Sequence, residues 1–139
     1  MKFKSRLENN IDPTRSKIIN RARQNLLSAT TIWHNEIVNG QLTGQRSGRV
    51  YRIPGTRRTY RASSPGEPPA SRMGILRNGY RFQVVTIDEQ LTGEVGSPEM
   101  YAVWLEKGTS KRAARPHVVP AFDKRRSDIY GVLGLRWDR

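Results

Sequence analysis

The sequence contains no cysteine and only two histidines, His34 and His117, among its 139 residues. The absence of cysteine excludes disulfide bonds, thiolate zinc sites and cysteine nucleophiles. Two histidines leave little material for a metal centre built on imidazole ligands. We therefore expect no metal and no other cofactor.

Long hydrophobic runs are also missing. Hydrophobic residues make up 35% of the chain and aromatic residues 8%, and the mean hydropathy is −0.72. The longest fully apolar run, from Met100 to Leu105, is far shorter than the roughly 20 residues that cross a bilayer. The basic residues Lys2, Lys4 and Arg6 are not followed by the apolar stretch of a signal peptide. These features predict a soluble, non-exported chain with a modest core, no membrane partner and some dependence on partner proteins for stability.

Acidic residues are too few to balance the basic ones. The chain has 25 Lys and Arg against 12 Asp and Glu, which gives a formal charge of +13, and 19 of the 25 are arginine. Residues 41–87 carry +8 of this charge, because they contain nine arginines and a single acid, Glu67. The arginines are Arg46, Arg49, Arg52, Arg57, Arg58, Arg61, Arg72, Arg77 and Arg81. Since arginine pairs well with phosphate and carboxylate groups, we expect polyanions or acidic protein surfaces as partners.

Residues 12–38 show the periodicity of an amphipathic helix. Apolar side chains recur there at spacings of three and four residues, which places them along one stripe. They are Ile18, Ile19, Ala22, Leu26, Ala29, Trp33 and Ile37. Asp12 is a suitable N-cap with Pro13 at the first helical position, and Gly40 offers a stop. The pattern predicts one long helix.

Two short strand-like runs follow, within residues 48–61. Pro54 and Gly55 separate them and suit the centre of a type II turn. Alternation places Val50 and Arg52 on the same face, and the other face is equally mixed. A hairpin with no purely apolar face is expected to project from the body rather than to lie in the core.

The rest of the chain predicts a small sheet and two helices. Residues 80–87 alternate as in a half-buried strand, and residues 91–95 are spaced to pair with them. Ser97 suits the cap of a short helix that Gly108 closes, and residues 120–133 favour a last helix.

The whole pattern predicts an α+β fold: a long N-terminal helix packed on a small antiparallel β-sheet, with a protruding basic hairpin and short C-terminal helices. The proline-rich segment 63–70 cannot be helix or central strand. We therefore assign residues 1–139 to a single domain, from which residues 44–72 form a basic hairpin and proline-rich excursion.

No group of residues carries enzyme chemistry. The segment from Gly108 to Lys111 lacks the second glycine and the flanking strand and helix of a P-loop. Neither histidine is accompanied by the glycines of a nucleophile elbow, and His34 suits a surface or capping role. Among the carboxylates that could meet, Glu99 and Glu106 are spaced to lie on the outer face of a short helix. We therefore predict no catalytic residue and a non-enzymatic protein.

The three tryptophans differ in their surroundings. Trp33 and Trp104 are expected in the core, where the long helix meets the sheet and the short helix. Trp137 lies in the polar segment 136–139 and has no local core to enter. Because aromatic residues are enriched at interface hot spots, we expect Trp137 to anchor in a neighbouring subunit.

A series of short motifs runs through the second half of the chain. The downstream motifs are Gly96-Ser97, Tyr101-Ala102, Leu105-Glu106, Gly108-Thr109-Ser110-Lys111, Ala114-Arg115-Pro116 and Pro120-Ala121. The upstream motifs are Ser64-Pro65-Gly66-Glu67-Pro68-Pro69-Ala70 and Gly74-Ile75-Leu76-Arg77. In order and spacing, this series resembles the neck or tail-completion (head-tail joining) proteins of long-tailed double-stranded DNA bacteriophages. The resemblance covers roughly residues 45–123, and the family has a long helix where this chain predicts one.

The resemblance implies a structural subunit of the virion that assembles into a ring, expected to be a hexamer, at the head-tail junction. Its implied partners are further copies of itself, the phage portal and connector (head-completion) proteins, the tail terminator or tail-tube proteins, and genomic DNA in transit through the channel. The implied location is the neck or tail end of the virion, after assembly in the host cytoplasm.

The sequence leaves the role of the basic hairpin open. Its arginines either line the channel and contact DNA phosphates, which requires no base reading, or dock on an adjacent subunit, or are simply solvated. They are Arg49, Arg52, Arg57, Arg58 and Arg61.

A second expected contact surface lies near the C-terminus. It consists of Lys111, Arg112, Arg115 and Trp137, which are candidates for a contact between rings or subunits. The alternative function for the whole chain is a cytoplasmic, non-sequence-specific nucleic-acid-binding protein, which the exposed arginines would also suit.

Overall fold

The structure, a computed structural model, describes the backbone of residues 2–134 and the side chains of residues 13–134. In chain order it contains α1 (Lys2–Asn35), a π-helical turn (Glu36–Gln41), β1 (Val50–Arg52), β2 (Thr59–Arg61), α2 (Ile75–Gly79), β3 (Arg81–Ile87), β4 (Gln90–Gly96), α3 (Tyr101–Lys107) and α4 (Val118–Leu133). Strands β1 and β2 form one antiparallel pair, and β3 and β4 form another. The predicted α+β architecture is confirmed.

Helix α1 begins earlier than the sequence predicted. It starts at Lys2, so Asp12 is not its N-cap, and Pro13 lies inside it. A proline removes its own N–H donor and crowds the preceding turn, but helical residues can precede it at a local cost. The capping signal at Asp12 was therefore misleading.

The π-helical turn carries the chain from α1 towards the basic hairpin. Gly40, predicted to follow the helix, lies inside this turn. The buried carboxylate of Glu36 lies against Gly40, where a Cβ atom would collide with it. Lys124 of α4 pairs with the same carboxylate, with 2.8 Å between Nζ and Oε1. Gly40 thus makes room for an ion pair that joins α4 to the end of α1.

Strands β3 and β4 form a hairpin that packs on α1. Asp88 and Glu89 make its two-residue turn, and their φ values of 46° and 64° are those of a type I′ turn. Helix α1 meets the hairpin at Gly93, where a Cβ atom would collide with Oγ1 of Thr30 and lie 3.2 Å from Cδ1 of Leu26. Gly93 therefore sets how closely the helix approaches the sheet.

The core forms where α1, the π-helical turn and α4 meet. Its buried members are Ile37, Leu42, Tyr80 and Ala121. Trp33 packs against this cluster, and its Nε1 donates a hydrogen bond of 2.9 Å to the carbonyl of Val118. The prediction that Trp33 lies in the core is therefore correct in part, because its side chain is partly buried and packs against the buried cluster.

The predictions for α3 are only partly correct. Gly108 ends this helix with a φ of 76°, as predicted, but Ser97 lies too far upstream to cap it. The Ser97 hydroxyl instead accepts a hydrogen bond of 3.2 Å from the N–H of Glu99. Trp104 is 56% exposed, so its predicted place in the core is wrong. A helix this short buries one narrow face, and that face carries Ala102.

The hairpin of β1 and β2 projects from the body, as predicted. The N–H of Thr56 donates to the carbonyl of Ile53 at 3.1 Å, and Gly55 has a φ of 77°, which a type II turn with proline before it requires. Tyr51 and Tyr60 stack across the strands, with 6.0 Å between ring centroids. Both strands are largely exposed and pack chiefly on each other.

Part of the apolar stripe of α1 extends beyond the core. Residues 15–24 are all exposed, and Ile18 and Ile19 keep 64% and 40% of their surface in solvent. Further along the helix, Ala29 and Ile37 are buried. The stripe that the sequence predicts is therefore longer than the body it packs against.

Candidate interaction surfaces

The five arginines predicted as contact residues of the hairpin are all exposed. Arg52 Nε donates to the carbonyl of Thr56, and Arg61 Nη1 donates to the carbonyl of Gly48, each at 3.0 Å. A carbonyl partner leaves the positive charge uncompensated. In the described part of the chain, the side chains of the other three make no hydrogen bond or ion pair: Arg49, Arg57 and Arg58.

The charge of residues 41–87 is not neutralised within the described protein. Every ion pair between described residues uses a carboxylate outside this segment: Glu36, Glu106, Asp123 or Asp128. The arginines of the hairpin therefore keep their charge for an external partner.

Glu67, the acid of this segment, holds the base of the hairpin together. Its Oε1 accepts a hydrogen bond of 2.5 Å from the Ser47 hydroxyl, and its Oε2 accepts one of 2.8 Å from the N–H of Ser64. These bonds, that from the Ser47 hydroxyl above all, lower the pKa of Glu67 to about 2. The carboxylate thus fixes where the hairpin leaves the body.

Two arginines of the basic segment are held by hydrogen bonds within the fold. The guanidinium of Arg46 donates to the carbonyls of Gln41 and Pro69, at 2.6 and 3.2 Å. Arg77 Nε donates to the carbonyl of Val38 at 3.0 Å. Arg46 thus ties the proline-rich excursion to the π-helical turn, and Arg77 ties α2 to the same turn.

A groove of about 570 Å³ runs between the proline-rich segment, α2 and α3. Its lining includes four arginines and, among the described residues, no acid. The arginines are Arg72, Arg77, Arg112 and Arg115. Apolar groups line the same groove, including Leu105 and the exposed side chains of Met73 and Ile75. We call this feature the arginine groove.

The structure places the second predicted contact surface at this groove in part. Residues 109–112 form a turn that is closed by a bridge between Thr109 and Arg112, and residues 113–115 continue from it without regular structure. Arg112 lines the groove and Lys111 is exposed on the turn. Arg115 also lines it, and its Nη1 donates to the carbonyl of Ser63 at 2.5 Å. Trp137 lies outside the described residues. The sequence did not assign Arg72 or Arg77 to this surface, because they lie far from the turn along the chain.

Glu106 caps helix α4 from the neighbouring helix α3. Its carboxylate accepts hydrogen bonds from the backbone N–H groups of His117, Val118 and Val119, at 2.8 to 3.0 Å. These are free donors at the helix N-terminus, where negative charge is favoured. Burial alone would raise the pKa of Glu106, but the bonds from the His117 side chain and from the three amides outweigh it and lower the pKa to about 2. The prediction that Glu106 lies on an outer helix face is wrong.

His117 is fully buried between Glu106 and Tyr80. Its Nδ1 lies 2.9 Å from the carbonyl of Arg115 and 3.1 Å from Oε2 of Glu106. Because Nδ1 faces two acceptors, it carries the proton, and Nε2 accepts a hydrogen bond of 2.6 Å from the Tyr80 hydroxyl. Burial, reinforced by the Glu106 charge, raises the pKa of Tyr80. These residue types occur in acid-base sites, but here the ring is fully buried. The cluster joins α3 and the start of α4 to Tyr80, which lies between α2 and β3.

Other kinds of site have no counterpart in the described residues. The segment from Gly108 to Lys111 follows a helix rather than a strand, so it lacks P-loop geometry. Across residues 13–134, no three His, Asp or Glu side chains gather as metal ligands. None of the described helices combines the length and hydropathy needed to cross a bilayer.

Comparison with known proteins finds no match to this chain among family models, curated proteins or solved structures. Its function is therefore inferred from the sequence motifs, the basic hairpin and the arginine groove.

Proposed function

We propose that this chain is a structural protein of the virion of a long-tailed DNA phage. It forms a ring at the head-tail junction, joins the connector to the tail, and lets the genome pass through its channel. The order of the motifs between residues 64 and 121 supports the phage setting. The observation that carries the proposal is the projecting hairpin, whose arginines have no carboxylate partner within the described protein.

The hairpin suits contact with passing DNA. A channel wall must attract phosphates without reading bases and without holding the duplex in one register. Exposed arginines meet this requirement, because phosphate contacts depend on charge and not on sequence. Arg49, Arg57 and Arg58 form no bond within the described residues that a phosphate would have to displace.

The distribution of apolar surface supports assembly with other subunits. Ile18 on α1 and Met100, Val103 and Trp104 around α3 are each more than half exposed. Isolated exposed apolar residues are ordinary, but a small body with several of them around a short helix is typical of a chain that completes its packing in an assembly.

Deletion of the gene from its phage tests the proposal. We expect lysates in which DNA-filled heads and finished tails are present but unjoined in electron micrographs, and a plasmid copy of the gene should restore joined particles. Joined, infectious particles in the deletion lysate without the plasmid would contradict the proposal.

The location of the protein separates this function from that of a cytoplasmic nucleic-acid-binding protein. Quantitative mass spectrometry of purified virions should find the chain at a fixed ratio to the portal protein. If the chain is missing from virions and is recovered with nucleic acid from the cytoplasm, the alternative function is correct.

A further inference from the structure

The chemistry of the arginine groove defines what it can hold. Arg72 and Arg112 are exposed, and their side chains have no hydrogen bond or ion pair within the described residues. Arg77 and Arg115 are fixed by backbone carbonyls, so their positions are set while their charge is uncompensated. Two movable and two fixed guanidinium groups thus face one cavity that contains no described acid.

The apolar lining of the groove favours an acidic protein segment over DNA. Leu105, Ile75 and Met73 lie beside the arginines. A phosphate backbone has no apolar group to place against them, whereas a protein segment with carboxylates between apolar side chains matches both features. The groove therefore fits an acidic protein segment better than it fits DNA.

One described segment places two carboxylates beside an exposed apolar side chain. The tip of the β3–β4 hairpin, residues 87–90, presents Asp88 and Glu89, and neither carboxylate has a partner in the described part of the protein. Ile87 beside them is 46% exposed. We call these residues the acidic tip.

The backbone of the acidic tip has a conformation that Asn-Gly or Asp-Gly adopts more easily than Asp-Glu. Both central residues have positive φ, which type I′ turns satisfy most easily with Asn and Gly. Asp88 suits its position in the turn, whereas Glu89 does not, and the replacement of both by Asn and Gly keeps a favourable turn.

We propose that the acidic tip of one copy docks in the arginine groove of the next copy. This contact deepens the proposed ring and rests on that proposed function. The tip and the groove share no residue, so each subunit can offer both at the same time. Such a head-to-tail contact repeats from subunit to subunit and closes into a ring when the rotation allows. Carboxylate-guanidinium pairs at a partly apolar site would make it sensitive to salt.

The experiment compares purified full-length proteins by sedimentation velocity at low salt. The tip variant is Asp88→Asn with Glu89→Gly, which keeps a favourable turn. The groove variant is Arg72→Gln with Arg112→Gln, and its matched control is Arg21→Gln with Arg23→Gln, which removes the same charge from exposed positions of α1 outside the groove. Circular dichroism checks that each protein is folded.

We expect the wild type and the control to form assemblies larger than dimers, and the tip and groove variants to sediment as monomers. An equimolar mixture of the tip and groove variants should form a one-to-one dimer and nothing larger, because only one intact tip and one intact groove can then pair. A monomeric wild type, unchanged assembly of either variant, or a monomeric mixture would each overturn the proposal.

The outcome is independent of the test of function. If the assembly pattern is as expected but the protein is absent from virions, the contact stands and the proposed function fails. If the protein is a neck component but the variants assemble like the wild type, the function stands and this contact fails.

Discussion

At the scale of single residues, Glu106 organises the C-terminal part of the fold. Its carboxylate accepts hydrogen bonds from the first amides of α4 and contacts the buried ring of His117. An N-cap residue normally does this from within its own helix. Here the cap comes from the preceding helix, so one carboxylate also fixes how α3 and α4 are placed.

The substitution Glu106→Gln tests this role. The amide is nearly the same size but lacks the negative charge, and hydrogen bonds to a charged group contribute about 1.5–3 kcal/mol. We expect the free energy of unfolding in urea to fall by about 2 kcal/mol, the middle of that range. The matched control is Glu99→Gln, whose carboxylate makes no hydrogen bond within the described residues, and it should change stability little.

The same carboxylate predicts a dependence of stability on pH. The pKa of Glu106 is lowered from 4.5 to about 2 by folding. Its contribution to stability is therefore complete above pH 4.5 and is lost as the pH falls through the folded pKa, because the unfolded chain binds the proton first. We expect the difference in melting temperature between wild type and Glu106→Gln to narrow steadily from pH 4.5 to pH 2. Glu67 titrates in both proteins, so its contribution cancels from the difference in melting temperature. A difference that stays constant from pH 4.5 to pH 2 would refute the role of Glu106.

At the scale of secondary-structure elements, the approach of α1 to β4 depends on one glycine. The substitution Gly93→Ala would place a methyl group against Thr30 and Leu26. Overpacking of this kind costs about 1–3 kcal/mol, and we expect that loss in chemical denaturation. Gly96→Ala on the same strand is the control, since nothing lies within 4 Å of its Cβ position.

A second substitution checks that the cause is steric. Thr30→Ala removes the hydroxyl that the new methyl group would meet, so the double variant with Gly93→Ala should recover part of the lost stability. If the double variant loses as much free energy of unfolding as the two single variants together, the helix and the strand do not compete for this space.

The hairpin of β1 and β2 gives a prediction about DNA contact. Replacement of Arg57 and Arg58 by glutamine should weaken binding to duplex DNA and reduce the salt slope of the logarithm of the affinity by about 1 to 2, close to the value per phosphate contact for each arginine. Lys107 and Lys111, exposed at a different place, provide the control when changed to glutamine. Fluorescence anisotropy across a salt series measures both slopes, and equal slopes for the two variants would exclude a special role for the hairpin.

At the scale of the whole molecule, the concentration of positive charge lowers the stability of the isolated subunit. The net charge is +13, and +8 of it lies between residues 41 and 87, where no described carboxylate pairs with an arginine. Like charges held together repel one another, and the repulsion is relieved either by salt or by an anionic partner.

The isolated protein should therefore become more stable as salt is added. The Debye length falls from about 10 Å at 0.1 M salt to about 3 Å at 1 M, which screens the arginines of the hairpin from each other. We expect the melting temperature to rise over this range of sodium chloride, and to rise less in the variant that lacks Arg57 and Arg58. A melting temperature that falls with salt in the wild type would mean that attractive ion pairs dominate instead.

The features that the sequence predicted correctly depend on near neighbours in the chain. The turn at Pro54 and Gly55, the strands on either side of Asp88, and the helical stripe through Trp33 each follow from the conformations of adjacent residues or from a regular period. The capping signal at Asp12 lies within a longer helix that begins at Lys2, and there the prediction failed.

The sequence by itself determined the α+β class, the strands, the projecting hairpin and the concentration of positive charge, because these are properties of short segments. Only the tertiary structure decided which arginines are bound and which are free. Arg46 reaches a carbonyl 23 residues away and Arg115 one 52 residues away, so composition alone could not separate them from Arg72 and Arg112. The cap at Glu106 and the arginine groove likewise arise from residues that tertiary packing brings together, and patterns within short segments do not predict such packing.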